Sequence, residues 1–562
     1  MAIQEIKQQI GEIVRQTLGG GLDLSKLDVS TSNDVRRGDV AVNAAMVYAK
    51  ELGKSPRELA EQIAASIKSG LGGAVAKVDV AGPGFVNITL SDDEVVRQLL
   101  AAVKLKPSTY ADQTIVAEYS DPNPFKVLHV GHIYTTVVGD AIAKLLEVAG
   151  AKVYRVNFGG DVGLHVGKTL WSILKEFGGE YPEKLAGTPS AHAEWLAQNY
   201  IKGNGAYDDD PSAKKSIIEL NKRIYEIHSA NDHESALAQI YWTCRTWSYE
   251  AFDAFYKRLG TKMDKYYPES ETADVGLAAV REQIGTVFEK SDGAIVFKGE
   301  PYGLHTRVFI NRLGLPTYET KDVGLILKKF EDYHFDRSVV ITANEQQEYM
   351  AVVLMAIRQF LPHLADATTY IPHGMVKLAG GVKMSSRKGN IIRATEVLDI
   401  TAQAITDTGR QADDAVVLGA IRFALLKSRI GGDITYDPAE SISLEGKSGP
   451  YMQYAHARAR SILAKASARS NDGVIKLDTA ERVLARKIAE YPDVLGVAVA
   501  EFMPHHICGY LYELAQTFNR FYEGNRVIGD EREQTRVMVI EAYADVLKDG
   551  LDILGIVAPD RL

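Results

Sequence analysis

The sequence has little cysteine and no long apolar run. Its 562 residues include only 2 cysteines, Cys244 and Cys508, which lie far apart. This argues against a disulfide framework or a structural zinc cage and predicts a reducing, cytoplasmic setting. The longest apolar stretches, such as residues 352–357, are far below the ~18 residues that a bilayer crossing needs. The sequence therefore predicts a soluble chain with no membrane partner and no secretory signal.

The overall composition is close to that of an average soluble protein. Hydrophobic residues make up 46% and charged residues 24% of the chain, which excludes a disordered or fibrous protein. At about 150 residues per domain, the length predicts three or four folding units. The net charge of -9 does not exclude nucleic acid, but it requires that local basic patches be found.

Changes of pattern along the chain predict its organisation. A compact α/β module occupies residues 1–105, with a helix that begins at the capping sequence 55–58 and ends near Gly70, followed by strands at 75–80 and 86–90. We predict three regions with these bounds: 1–105, 106–395 with a helical insertion at about 170–266, and 396–562, which is helical throughout.

The second region begins with the pattern of a βαβ unit. A buried strand at 115–117 is followed by a long loop, a helix from about 131 to 149 and a second strand at 153–158. Such units place ligands at the carboxyl edge of a parallel sheet, so we expect the chemistry in the loop at 120–132. Strands at 294–297 and 339–342 are predicted to continue this sheet after the insertion.

The loop at the first strand ends in two histidines at a helix N-terminus. His129 and His132 share one helix face, and Gly131 lets a nucleotide approach the backbone. The free N–H groups and the helix dipole favour an anion there, which predicts a phosphate site. An incidental surface loop is the alternative, and so is a metal site, although no third ligand is evident nearby.

A second segment has the composition of a mobile anion clamp. Residues 371–395 contain five basic residues and no acidic one. Glycines at 380, 381 and 389 leave the backbone free to move, while Lys383, Arg387 and Lys388 can reach a bound polyphosphate. Read alone, the segment could also be an ordinary basic loop.

Together the two segments resemble the His-x-Gly-His and Lys-Met-Ser-Lys-Ser motifs of class I aminoacyl-tRNA synthetases. Further motifs resemble the arginyl-tRNA synthetases in particular: Asn123-Pro-x-Lys126, Tyr318-Glu-Thr-Lys-Asp322, Tyr451-Met-Gln-Tyr-Ala-His-Ala-Arg458, Gly38-Asp39 with Gly82-Pro-Gly-Phe-Val-Asn87, and the helices of 504–561. The resemblance spans nearly the whole chain. It implies a Rossmann-type α/β catalytic domain with a helical insertion, an N-terminal α/β tRNA-binding domain and a C-terminal all-α anticodon-binding bundle.

The resemblance also implies an activity and its residues. The family activates arginine with ATP and Mg²⁺ and transfers it to tRNA. The implied catalytic residues are Lys126, His129, His132, Lys383 and Lys388, and the implied nucleotide contacts are His129, Gly131, His132, Asp140, Met384, Ser385, Ser386 and Arg387. This chain departs from the family where Ser386 replaces a lysine, for which Lys126 is the substitute, and where Val162 and His165 replace tryptophan and glutamine.

Selecting a guanidinium against lysine requires fixed carboxylates, because the group is planar, permanently charged and rich in donors. Asp322 is the leading candidate, and on a helix Tyr318 would share its face. The resemblance adds Glu269 at the guanidinium, Glu118 and Asn123 near the reacting end, and Gln346 in the pocket wall. The alternative for each carboxylate is a solvated surface charge.

A local basic and aromatic stretch predicts the tRNA contact. Residues 441–470 carry a local charge of +4 in an acidic protein. Tyr451 and Tyr454 could stack unpaired bases while Arg458 and Arg460 hold phosphates. A bundle helix with a solvated basic face is the alternative. The aromatic residues Tyr510, Phe518, Phe521 and Tyr522 are expected in the core.

Rival functions remain at this stage. They are a class I synthetase for glutamate, glutamine or lysine, a noncatalytic RNA-binding homologue, and a nucleotidylyltransferase of small metabolites. A monomer that needs no structural metal is expected.

Overall fold

The computed structural model describes residues 3–19, 22–32, 37–379, 392–467 and 475–562. The chain forms two compact units. The first combines Met1–Pro107 with Leu444–Leu562, and the second is Ser108–Ser443. Within the described ranges, no helix is long and apolar enough to cross a bilayer.

The N-terminal part of the first unit packs helices on a four-stranded antiparallel sheet of order β1-β2-β4-β3. Its elements are α1 (Ile3–Leu18), β1 (Val29–Thr31), β2 (Val40–Val42), α2 (Ala44–Tyr48), α3 (Pro56–Leu71), β3 (Val75–Ala81), β4 (Phe85–Leu90) and α4 (Asp92–Ala101). The two predicted strands are confirmed. The start of α3 is confirmed too, since the Ser55 hydroxyl accepts the Glu58 N–H. The helix ends at Leu71, slightly later than predicted, and its C-cap is Gly72, at φ 52°.

The second unit contains ten strands and twelve helices in its described residues. The strands are β5 (Thr114–Glu118), β6 (Lys152–Gly159), β7 (Lys265–Pro268), β8 (Glu289–Ser291), β9 (Ala294–Phe297), β10 (Arg307–Ile310), β11 (Arg337–Ala343), β12 (Thr368–His373), β13 (Val376–Leu378) and β14 (Ile434–Tyr436). The helices are α5 (Val130–Val148), α6 (Leu164–Phe177), α7 (His192–Asp209), α8 (Pro211–Ser229), α9 (Ala236–Leu259), α10 (Glu269–Glu282), α11 (Tyr318–Tyr333), α12 (Gln347–Arg358), α13 (Pro362–Ala367), α14 (Ala394–Asp407), α15 (Asp414–Leu426) and α16 (Pro438–Ser441).

A five-stranded parallel sheet of order β12-β11-β5-β6-β7 forms the centre of this unit. The chain adds β6 and β7 on one side of β5 and then β11 and β12 on the other. The strand order therefore reverses between β5 and β11, and ligands of such sheets bind at the carboxyl edge beside this switch point. The predicted βαβ unit and the strand at 339–342 are confirmed.

The prediction that residues 294–297 continue the parallel sheet is wrong. They form β9, which lies between β8 and β10 in a separate antiparallel sheet. A short apolar run has the same appearance in either setting, so periodicity alone could not separate them. The helical insertion is confirmed as α6 to α9, whose core buries Trp195 and Cys244.

The C-terminal part of the first unit is a helical bundle. Its helices are α17 (Gly449–Leu463), α18 (Thr479–Ala489), α19 (Tyr491–Glu501), α20 (His505–Gly524) and α21 (Glu533–Ile553). The predicted apolar faces of α20 and α21 are buried. The prediction of three regions with bounds at 105 and 395 stays a prediction.

Candidate active site

The turn at the histidines begins α5 at the carboxyl edge of the sheet. His129 is the N-cap, and its Nδ1 accepts the N–H of Gly131 at 3.1 Å. His132 reaches back, and its Nδ1 accepts the N–H of His129 at 3.1 Å. The two ring centroids lie 4.0 Å apart. The structure therefore brings His129, Gly131 and His132 together as predicted.

Both imidazoles are held neutral with a defined tautomer. Because each Nδ1 accepts a backbone N–H, the ring proton of the neutral form lies on Nε2. Burial, together with the charge of nearby Lys126, lowers the pKa of His129 to about 4. Burial and His129 lower the pKa of His132 well below its ordinary value. Each ring thus keeps one Nε2–H donor for a ligand.

The predicted clamp residues Lys383, Met384, Ser385, Ser386, Arg387 and Lys388 lie outside the described residues. The chain that directly follows this segment is described, and it pairs with the histidine turn. The N–H of Val130 donates to the Ile392 carbonyl at 3.1 Å, and the N–H of Ala394 donates to the Leu128 carbonyl at 2.9 Å. Residue 392 is thereby fixed next to His129.

Acidic side chains gather beside the carboxyl end of β5. Glu118, the last residue of that strand, pairs with the fully buried ammonium of Lys329. Glu269, the first residue of α10, pairs with Lys321. Both lysines come from α11, so one helix supplies the positive charge for carboxylates that two other elements carry.

Two further carboxylates of this pocket lack a cationic partner. In the part of the chain that the structure describes, neither Asp121 nor Asp322 forms an ion pair of its own; the nearby positive charge of Lys329, which pairs with Glu118, lowers the pKa of both but does not offset the effects that raise it. Asp121 accepts the Phe158 N–H at 2.9 Å, and Asp322 accepts the Tyr349 hydroxyl. Burial and then the charge of Glu118 raise the pKa of both carboxyls well above the ordinary value. A positive charge in this pocket would stabilise the ionised form of both carboxyls, so the pocket favours a cationic ligand.

A glycine brings the two sides of the pocket together. The Gly160 N–H donates to Asn123 Oδ1 at 2.8 Å, and its carbonyl contacts His165 Nε2 at 2.7 Å. A Cβ at this glycine would lie 2.8 Å from Asn123 Oδ1 and 3.1 Å from Glu269 Oε1. Asn123 and Glu269 thus both lie beside Gly160, and their separate roles at the two ends of the ligand stay a prediction. The departures from the family pattern have structural roles, since His165 fixes this turn and Val162 is buried in the insertion core.

Tyr318 and Gln346 lie at the pocket margin rather than inside it. Tyr318 is the first residue of α11 and is 64% exposed, and its ring centroid lies 5.3 Å from the Lys321 ammonium. The ring beside Asp322 belongs to Tyr349 instead. Gln346 is exposed in a 3₁₀ turn after β11.

The predicted nucleotide contact at Asp140 is not supported by its surroundings. Its carboxylate pairs with the buried guanidinium of Arg422 and accepts the Thr261 hydroxyl at 2.9 Å. It also lies eleven residues along α5 from His129, which is about 16 Å at 1.5 Å per residue. The Asp140 carboxylate is thus engaged in the packing of α5, and its contact with the nucleotide stays a prediction.

Comparison with known proteins gives the family. Residues 94–431, more than half of the chain, match the family of the catalytic domain of class I tRNA synthetases (R). The chain belongs to the arginyl-tRNA synthetases. Residues 4–90 match the arginyl tRNA synthetase N terminal domain, and residues 452–562 match the DALR anticodon binding domain.

Known relatives match this chain over most of its length. The arginine–tRNA ligase of Flavobacterium psychrophilum is 30% identical over 524 residues, which is 85% of each chain. That of Porphyromonas gingivalis is 27% identical over 556 residues, or 92% of each chain. The solved arginyl-tRNA synthetase of Thermus thermophilus shares the fold, with a TM-score of 0.77 over 100% of both chains at 24% identity. The chain is an arginine–tRNA ligase, which uses ATP as class I synthetases do.

The side chains predicted to bind tRNA lie in the first unit on α17. Tyr454 and Arg458 line a cleft of about 1670 Å³, and the Arg458 guanidinium lies 4.8 Å from the centroid of the Tyr454 ring. Arg460 pairs with Asp560 at 3.0 Å, and the Tyr451 hydroxyl is held by Asn519 at 2.8 Å. The cleft thus combines cationic groups with partly exposed aromatic rings.

Sequence reasoning missed several pocket residues and misplaced one ring of the cleft. It missed Asp121, Lys321, Lys329 and Tyr349, although Lys329 follows Asp322 by seven residues and so shares its helix face, a signal that was present. The core assignment is confirmed for Tyr510, Phe518 and Phe521, which are buried, but wrong for Tyr522. Tyr522 is 39% exposed and lines the same cleft as Tyr454.

Proposed function

We propose that arginine binds in the acidic pocket with its guanidinium on Asp322. The observation that carries this proposal is that Glu118 and Glu269 have lysine partners, whereas Asp121 and Asp322 have none among the described residues. A ligand with two cationic groups compensates the two remaining carboxylates. Arginine brings a guanidinium and an α-ammonium, and a glutamate ligand would be repelled.

The predicted pocket residues then have defined tasks. Asp322 and Glu269 face the guanidinium, with Tyr318 and Gln346 at the pocket wall. Glu118 and Asn123 hold the reacting end, and the Asn123 amide is free to donate because its oxygen is already engaged by Gly160. The Tyr349 hydroxyl fixes the Asp322 carboxylate for pairing with a planar ligand.

The nucleotide binds at the histidine turn. The arginine carboxylate attacks the α-phosphorus of ATP in line and displaces pyrophosphate, and a ribose hydroxyl of the tRNA 3′ end then takes the arginyl group from the adenylate. The protein supplies alignment and charge stabilisation rather than a covalent intermediate. His129 and His132 donate their Nε2–H groups, and Lys126 adds a charge. Contacts of this kind contribute about 3 kcal/mol each.

The remaining charge comes from the segment that precedes residue 392. We propose that Lys383 and Lys388, with Met384, Ser385, Ser386 and Arg387, bind the triphosphate. The pairing of residues 392–394 with 128–130 supports this, because it places residue 392, which follows them in sequence, beside the histidine turn. Mg²⁺ enters with ATP, whose phosphate charge it neutralises. Among the described residues, no cluster of three or more His, Cys, Asp or Glu side chains has a metal-binding arrangement.

The tRNA for arginine is the macromolecular partner. We propose that Tyr451, Tyr454, Arg458 and Arg460, together with Tyr522, contact its unpaired bases and phosphates, and that the region 1–105 binds tRNA as well. Exposed rings next to guanidinium groups support this assignment. We further propose a monomer in the cytoplasm.

Charging assays test this function. Total tRNA is incubated with ATP and labelled arginine, lysine or glutamine. Arginine alone should be esterified, and Asp322→Asn should reduce kcat/KM for arginine at least 100-fold, because an amide cannot pair with the guanidinium charge. The matched control is Asp366→Asn, which removes an exposed carboxylate that pairs with Arg358. Charging of lysine in preference to arginine would refute the pocket assignment.

A further inference from the structure

Asp39, in the turn before β2, is a buried carboxylate at a junction between distant parts of the chain. It is 2% exposed, and its Oδ2 accepts the Leu90 N–H at 2.7 Å. Its own N–H donates to the Ile88 carbonyl at 2.7 Å. Asp39 is therefore locked to the last residues of β4.

Arg482 of α18 reaches this carboxylate from the C-terminal helices. Its guanidinium pairs with Asp39 Oδ2, donates to the Leu90 carbonyl at 2.8 Å and donates to Asp92 Oδ1 at 2.7 Å. One planar group thus contacts the end of β4 and the start of α4 at the same time. Its partners lie about 390 to 440 residues away in sequence.

Other contacts of the same helix repeat the attachment. Arg486, one turn further along α18, places its Nε 2.9 Å from Asp39 Oδ1 and donates to the Ser32 carbonyl at 2.9 Å. Just before this helix begins, the Leu477 N–H donates to Asp92 Oδ2 at 3.2 Å. Both arginine side chains are about 12 to 13% exposed. The Arg482–Asp39 pair, which is buried and hydrogen-bonded, should therefore be costlier to break than a surface pair.

The junction connects two surfaces that the proposed function assigns to tRNA. Strand β4 begins at Phe85, which is 40% exposed, and it ends at Leu90, which Arg482 holds. The bundle on the other side of the junction carries Tyr454 and Arg458. An exposed ring is a stacking platform for an unpaired base.

We infer that Arg482 is a positioning residue for tRNA: it fixes the sheet that carries Phe85 to the helices that carry Tyr454 and Arg458. This inference rests on the proposed function, because it takes both surfaces as tRNA contacts. Two contacts on one rigid body bind a single tRNA with a high effective concentration for the second contact. Without the junction the second contact adds little. Arg482 itself touches no substrate.

The test is a double-mutant cycle in the full-length enzyme. Arg482→Met should raise KM for tRNA about tenfold and change kcat and the KM values for ATP and arginine less than twofold. Phe85→Ala should raise KM for tRNA in the wild-type background but have almost no effect in the Arg482→Met background. The matched control is Arg97→Met on α4, which removes a pair made with Glu94 of the same helix.

The outcomes distinguish a failure of the positioning role of Arg482 from a failure of the proposed tRNA contact of region 1–105. Additive effects of Arg482→Met and Phe85→Ala, or an unchanged KM in Arg482→Met, overturn the positioning role. If Phe85→Ala alone leaves KM for tRNA unchanged, the tRNA contact of region 1–105 fails instead. Should Arg482→Met fail to fold, Arg482→Lys and Asp92→Asn replace it, since each removes only part of the junction. Their KM values for tRNA must then rise at an unchanged melting temperature, and a fall in stability alone contradicts the inference.

Discussion

The hydroxyl of Tyr349 on α12 donates a hydrogen bond to the carboxylate of Asp322 on α11. Asp322 is 7% exposed and lies near the charges of Glu118, Glu269 and Asp121. The hydroxyl therefore orients a carboxylate that is surrounded by three other carboxylates, with the Lys329 ammonium, which pairs with Glu118, as the cation among them. A guanidinium recognises such a group through two parallel hydrogen bonds, so its orientation bears directly on selection.

Removal of this hydroxyl should weaken arginine binding. Hydrogen bonds to charged groups contribute about 1.5–3 kcal/mol, so Tyr349→Phe should raise KM for arginine roughly tenfold with little change for ATP. The control is Tyr302→Phe, which removes a hydroxyl that donates to Gln359 at 3.0 Å on the surface. Equal KM values for arginine in the two variants would contradict the role of Tyr349.

Arginine binding should depend on pH through Asp322. Its pKa is raised by burial and by Glu118, so the carboxyl becomes protonated at a higher pH than an ordinary aspartate. A neutral carboxyl cannot pair with a guanidinium, and KM for arginine should therefore rise as the pH falls. KM for ATP should not follow, because His129, with a pKa of about 4, stays neutral. Aminoacylation kinetics from pH 6 to 8 test this, and parallel changes of both KM values would refute it.

The histidine turn should control adenylate formation. We expect His132→Ala to lower its rate at least tenfold, because the variant loses a donor aimed at the phosphates. Rapid-quench measurement with tRNA present gives this rate, and His363→Ala, an exposed histidine of the same unit, is the control. A near-normal rate of adenylate formation in His132→Ala would contradict the role of His132 as a donor to the phosphates.

Adjacent lysines of α11 provide a matched test of stability. Lys329 is fully buried on Glu118, so Lys329→Met leaves an unpaired buried carboxylate and should lower the free energy of unfolding by about 3–5 kcal/mol. Lys328 pairs with Glu331 at 2.7 Å, a residue 69% exposed, and Lys328→Met should cost less than about 1 kcal/mol. Urea unfolding of both variants measures the difference. Equal decreases in the free energy of unfolding would show that the buried pair stabilises the fold no more than the surface pair does.

The sequence predicted the parts of the fold that depend on local patterns. The βαβ unit, the helical insertion and the apolar faces of α20 and α21 follow from periodicity and capping, which neighbouring residues determine. The placement of β9 did not follow, because strand pairing depends on residues far along the chain. The histidine turn was predicted for the same reason as the helices, since His129 and His132 cap their own helix.

The acidic pocket was only half predictable. Asp322 and Glu269 could be found from the charge of the ligand and from the resemblance. The side chains that pair with these carboxylates could not, because the sequence does not show which residues the fold brings next to them. Lys321, Lys329 and Tyr349 act through contacts with Glu269, Glu118 and Asp322 across different elements. Tyr318 was favoured over Tyr349 because it lies one helical turn from Asp322, yet the tertiary packing of α12 against α11 places the other ring there.

The separation between Glu118 and Lys329 has a consequence for synthesis on the ribosome. The two charges are 211 residues apart, and at about 5–20 residues per second the lysine emerges roughly 10 to 40 s after the glutamate. During this interval Lys329 does not yet exist to pair with Glu118. The ion pair at the end of β5 therefore forms only after α11 has been translated.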